Sequence, residues 1–165
     1  MKKLLLFLAL LPLGMFAQEN PLSFLQGQSK LDLSIRYAEG SLCSMQEDEF
    51  IPFMESEADE PWVNIAREWK AKFSGELNEE LEGHQFLVGS FPKAAYEAVV
   101  NVEYLNKKGR FVSTVDFVEK ESGTVVYSKY IAADGGVFGS ITNLIGDGHK
   151  HAGEALGKYL ANYVR

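Results

Sequence analysis

The sequence predicts an α+β fold, a two-layer sandwich with two helices on one face of a mixed, mostly antiparallel sheet of about five strands. Three observations carry that expectation. Leu31, Leu33, Ile35 and Tyr37 alternate with Asp32, Ser34 and Arg36, the period-2 signature of a strand with one buried face. Three further strand patterns follow one another from Tyr96 to Ile131, joined by short polar turns that each contain a glycine. Two stretches, one from Pro61 and one from about Asp147, place their apolar residues at helical spacing. The element order is β-α-β-β-β-β-α.

The first helix is expected to open at Pro61, since proline suits the first helical position, with Asp59 and Glu60 at the positive end of its dipole. Trp62, Ile65, Ala66, Trp69, Phe73 and Leu77 share one face, and the two tryptophans there are expected to be core. Gly83 stops the helix, and Gln85 to Val88 supplies a short strand before Gly89 and Pro92. The segment from Met45 to Glu60 holds seven acidic residues and no basic one. It lacks the spacing of a calcium loop and is read as a solvated acidic surface.

In the second half, Ala98, Val100, Val102 and Tyr104 alternate with polar neighbours, leaving Val99 as one apolar residue on the polar side. Phe111, Val115 and Phe117 line the inward side of the next strand, and Thr124 to Ile131 closes the meander. Connections this short impose antiparallel pairing. The closing helix presents Ala152, Leu156, Tyr159, Leu160, Tyr163 and Val164 as its stripe. Gly153, Gly157 and Ala161 form a ridge of small residues, expected to let the helix approach the sheet closely. The other use of such a ridge is contact with a second helix.

Met1-Lys2-Lys3, the apolar run Leu4 to Leu13 and Gly14-Met15-Phe16-Ala17 match a secretory signal peptide over residues 1–17. No cysteine follows for a lipid anchor, so the expected location is the periplasm or the outside of the cell. Residues 18–29 form a lead-in, and residues 30–165 a single domain. Losing Lys2 and Lys3 takes the formal charge from −7 to −9, which disfavours nucleic acid and anionic surfaces as partners. Cys43 is the lone cysteine, so no intramolecular disulfide forms, and it is expected to be buried.

No catalytic motif stands out. His149 and His151 lie beside Asp147 and Glu154, but two histidines two apart on a helix point away from each other, and the remaining histidine is His84. They are weak metal candidates, and no cofactor is expected. The glycines of this region match neither a phosphate loop nor a dinucleotide fingerprint, and no nucleophile elbow occurs. Val137, Phe138, Ile141, Leu144 and Ile145 have the spacing of a short, nearly uncharged amphipathic helix. They are either a further piece of core or an interface for a protein partner, with peripheral membrane contact as another use.

Asp134-Gly-Gly-Val-Phe-Gly-Ser, Asn143-Leu-Ile-Gly-Asp-Gly and Ala152-Gly-Glu-Ala-Leu-Gly-Lys together resemble the C-terminal end of small secreted Bacteroidetes proteins with no assigned activity. Asp116-Phe-Val-Glu-Lys-Glu-Ser-Gly-Thr-Val-Val-Tyr is similar to the strand–turn–strand of periplasmic envelope-assembly domains. Those domains include the curli-secretion lipoprotein, the penicillin-binding-protein activators and the amino-terminal domain of the Tol propeller protein. The resemblance implies a non-enzymatic envelope role and transfers no catalytic residue. The expected function is an exported binding or scaffold protein acting through protein contacts. The alternative is a small-ligand binder or hydrolase with a pocket near His84, His149 and His151.

Overall fold

The computed structural model describes residues 20–164, so the expected signal peptide at 1–17 lies outside the described residues. The chain runs β1 (Lys30–Tyr37), α1 (Glu47–Ala58), α2 (Trp62–Glu80), β2 (Leu87–Gly89), β3 (Tyr96–Leu105), β4 (Phe111–Glu119), β5 (Thr124–Ala133) and α3 (Ile141–Ala161). The five strands form one sheet in the order β2-β1-β3-β4-β5. β1 is parallel to both β2 and β3, whereas β3, β4 and β5 form the antiparallel meander. The α+β class is therefore as read from the sequence, with α2 and α3 on one face of the mixed sheet.

β1, β3 and β4 bury the alternate residues that face the helices: Leu31 and Leu33, then Ala98, Val100 and Val102, then Phe111, Val115 and Phe117. A register shift between Val102 and Tyr104 interrupts the alternation. Past it, Leu105 enters the core and Tyr104 is exposed, which corrects the expectation that Tyr104 continues the buried series. Val99, on the opposite face, is nonetheless almost fully covered by its neighbours in the central strand. Residues 20–29 are more than a lead-in, since Leu22 and Leu25 join the core.

Three findings depart from the sequence reading. The acidic segment read as solvated surface folds as α1, a third helix. Phe50, Phe53 and Met54, at i, i+3 and i+4, turn inward, and Phe50 and Met54 are fully buried. Glu47, Asp48 and Glu49 occupy its first turn, where the helix dipole favours negative charge. Pro52 sits inside it, and that proline together with the acidity hides the helical spacing. The Glu55 carboxylate also accepts the Trp62 N–H at 2.8 Å, so the start of α2 is capped from α1 rather than by Asp59 or Glu60.

The closing helix begins at Ile141, six residues before the expected Asp147. The Ser140 hydroxyl caps it by accepting from the Asn143 N–H at 3.2 Å. The glycine ridge serves a helix-to-helix contact rather than approach to the sheet. A Cβ at Gly153 would lie 2.1 Å from the Phe73 carbonyl oxygen, and one at Gly157 would lie 2.7 Å from that of Leu77, both on α2. Gly146 faces Trp69 and Lys72 of the same helix, so α2 and α3 run side by side in the same direction. Only Gly148 serves the sheet end, where a Cβ would come 2.0 Å from the Gly109 carbonyl oxygen in the β3–β4 turn.

Candidate functional site

The three histidines each meet a separate partner. The His84 Nδ1 lies 2.8 Å from the Val164 carbonyl oxygen, and the His151 Nδ1 lies 2.7 Å from that of Asp134. His149 is fully buried, with its Nδ1 2.9 Å from the Ile145 carbonyl oxygen and its Nε2 2.9 Å from the Tyr37 hydroxyl. A carbonyl can only accept, so Nδ1 carries the proton and Nε2 accepts from Tyr37. The ring stacks on Trp69 at 5.0 Å and meets the edge of Phe111 at 4.9 Å. Burial outweighs the Ile145 hydrogen bond and, aided by Lys72, lowers its pKa to about 4. Burial likewise pushes the Tyr37 phenol up. This pair anchors α3 to β1, with the imidazole enclosed and the half-buried Tyr37 lining a small cleft beside Glu39 and Glu47.

None of the main clefts among the described residues is lined by His84, His149 or His151. Among those residues, no group of three or more His, Cys, Asp or Glu side chains is placed to hold a metal ion. Cys43 is half-buried rather than buried, in a tight turn at φ +55°. Burial raises its thiol pKa and the nearby Lys107 opposes that shift, an environment opposite to that of an activated cysteine.

The five residues expected to act together divide. Ile145 is fully buried, and Ile141 and Leu144 are half-buried in the first turn of α3, with Ile141 packed on the core. Val137 and Phe138 precede the helix and are 82% and 90% exposed. They form the tip of the loop that leaves β5. That loop rests on the β3–β4 turn, where a Cβ at Gly109 would fall 2.8 Å from the Gly135 Cα and 1.8 Å from the Leu144 carbonyl oxygen. Gly109 also has φ +78°, so no other residue fits this corner without moving the loop.

The surface that sequence reasoning missed is β5 itself. It ends the sheet order and has a strand neighbour on one side only. Val125, Val126 and Tyr130 are 50%, 40% and 60% exposed along it, and an irregularity in the ladder between Phe117 and Val118 accompanies Val126. Its single charged residue, Lys129, is drawn back over the Tyr159 ring of α3, with Nζ 4.3 Å from the centroid. Tyr127 stacks on Tyr159 at 6.3 Å and accepts its hydroxyl proton at 2.7 Å, so the helix side of the strand is fastened. The other side of the sheet carries a polar centre in which Asp116 accepts from Asn101 at 2.8 Å and from Ser128 at 2.5 Å. The signal was present in the sequence as a ten-residue strand almost free of charge, but strand order was not.

No protein-family profile matches the chain, and no curated protein matches it. Among solved structures it is similar to the PelC dodecamer from Paraburkholderia phytofirmans, at 13% identity and TM-score 0.39, over 77% of this chain and 86% of that one. A variant of the same protein, also a dodecamer, aligns at 16% identity and TM-score 0.38, over 78% of this chain and 85% of that one. A likeness this distant bears on neither the activity nor the assembly of this chain.

Proposed function

We propose that the protein is an exported, non-enzymatic binding or scaffold protein of the bacterial cell envelope, acting through protein contacts made at β5. The partner on this reading is a protein that adds an extended segment to the free edge of the sheet. One observation carries it: five of the eight large apolar residues exposed among the described residues lie within 124–138, on β5 and its following loop. Chance scatter over the surface does not gather them on one continuous edge. Free edges are normally guarded by brevity, proline or outward charge, and β5 has ten residues, no proline and a lysine held inward. Main-chain pairing along such an edge supplies affinity, and alternate side chains supply selectivity.

The histidines support the non-enzymatic side of the reading, because each is committed to a structural hydrogen bond. Export rests on the pattern of residues 1–17. No helix among the described residues is long and apolar enough to cross a membrane. The test places the photocrosslinker benzoylphenylalanine at Tyr130 in the native cell, with Glu68 on the exposed face of α2 as control position. A discrete crosslinked protein at position 130, absent at 68, is the expected result. Equal labelling at both positions, or none at 130, refutes the assignment.

A further inference from the structure

A second site lies at the opposite end of the sheet from the Val137–Phe138 loop. A cleft of about 520 Å³ opens between the segment 27–30, which leads into β1, and the segment 90–95, which links β2 to β3. Ligand clefts commonly hold roughly 300–1,000 Å³ and combine an apolar floor with a few fixed polar groups. Here Phe91, Pro92, Ala94 and Ala95 supply the apolar wall, and Lys30 and Lys93 supply the charge. The Lys30 Nζ sits 5.1 Å from the centre of the Phe91 ring, so the ammonium of this exposed lysine lies over the aromatic surface.

Two features bear on what this cleft can hold. Its lining contains no carboxylate, in a chain of net charge −7. The clefts beside α1 are lined instead by Glu39 and Glu47, and by Glu55, Asp59 and Glu60. Neither Lys30 nor Lys93 forms an ion pair among the described residues. The wall is also braced from behind. Asp32 accepts the Phe91 N–H at 2.9 Å and the Lys120 ammonium at 2.7 Å, and Lys120 donates again to the Pro92 carbonyl at 2.9 Å. The nearby carboxylate is thereby satisfied by Lys120, which leaves the two cleft lysines uncompensated.

We propose that this cleft binds a carboxylate carried on an aromatic or apolar body, with Lys30 and Lys93 holding the carboxylate and Phe91 the body. Such a group occurs on free small acids and at the C-terminus of a peptide ending in an apolar residue. The shared chemistry is an anion within a side chain's length of an aromatic face. The site is separate from the β5 edge, and either stands if the other fails.

The test uses isotope-labelled protein titrated with phenylacetate and watched by amide chemical shifts. Saturable shifts confined to residues 27–30 and 90–95 are expected, with an affinity on the order of a millimolar for so small a probe. Phenylacetamide, the neutral analogue, should bind at least about fivefold more weakly, since two exposed charge contacts are lost. Lys30→Met with Lys93→Met should weaken phenylacetate to the same extent while leaving shifts elsewhere native. A tetrapeptide ending in phenylalanine distinguishes the sources: tighter binding than phenylacetate, abolished by C-terminal amidation, assigns a peptide terminus. Weaker binding assigns a free acid. Shifts that do not saturate, that are equal for acid and amide, or that fall outside the two segments overturn the proposal.

Discussion

Protonating His149 should destabilise the fold by an amount that the structure allows to be worked out. The imidazole is fully buried between Trp69 and Phe111, with Nδ1–H donating to Ile145 and Nε2 accepting from Tyr37. A second proton would bring an unpaired positive charge into that aromatic enclosure. Burial therefore lowers the folded-state pKa to about 4, against 6.5 for an ordinary histidine. A depressed folded value means that the unfolded chain binds the proton first as pH falls. The stabilisation is complete above about pH 6.5, declines between 6.5 and 4, and falls no further below 4. At about 1.4 kcal/mol per unit, the window corresponds to about 3 kcal/mol, a large share of a small domain's stability. Urea unfolding of the native protein and of His149→Gln, at pH 7 and at pH 4, isolates this term, because the carboxylates titrate alike in both. The difference in stability should change by about 3 kcal/mol between the two pH values. An imidazole that titrates near 6.5 by NMR in the folded state, or a difference that stays constant with pH, refutes the reasoning.

Other expectations follow from the same packing. Gly153→Ala pushes a methyl group into the Phe73 carbonyl and should cost about 1–3 kcal/mol in urea unfolding, more than Gly157→Ala, whose contact is looser. Phe138→Ser should leave the unfolding midpoint within about 0.5 kcal/mol of native stability, whereas Ile145→Ser should cost several times more, because the first is exposed and the second buried. With the photocrosslinker kept at Tyr130, Val125→Lys with Val126→Lys should fold normally, read by circular dichroism, and lose the crosslinked protein if β5 is the docking edge. Lys120→Met should destabilise the protein at neutral pH, since it leaves the half-buried Asp32 without its cation. Burial works to raise the Asp32 pKa, but the hydrogen bonds from Lys120 and the Phe91 amide outweigh it and hold the carboxyl below its ordinary 3.8. That contribution is present above pH 3.8 and disappears as acid protonates Asp32, so the loss caused by Lys120→Met should vanish at low pH in an unfolding series.

The candidate surfaces were only partly legible. Phe138 stands out in any reading as an aromatic amid glycines, and it lies exposed at the tip of a loop whose base rests on the β3–β4 turn. Ile145 looks equivalent by spacing, yet it is core, because α3 starts earlier than glycine-poor helix rules allow. Glycines at 146, 148, 153 and 157 argue locally against a helix. At 148, 153 and 157 they are tolerated because the Gly109, Phe73 and Leu77 carbonyls lie too close for a side chain. The cleft beside Phe91 was not legible at all, since it joins segments some sixty residues apart in the chain.

What the sequence alone determined is the set of elements whose signal is local: the alternation of β1 and of the meander, the apolar stripe of α2, and the antiparallel pairing that short turns impose. Tertiary structure decided what depends on neighbours far along the chain. It turned the glycine ridge of α3 toward α2 rather than toward the sheet, enclosed His149 between β1 and α2, and turned Tyr104 outward at an irregularity in pairing. It also left β5 at the border of the sheet. Periodicity reports which side of an element is apolar, but only the assembled layers decide what meets that side, and which strand is left without a neighbour.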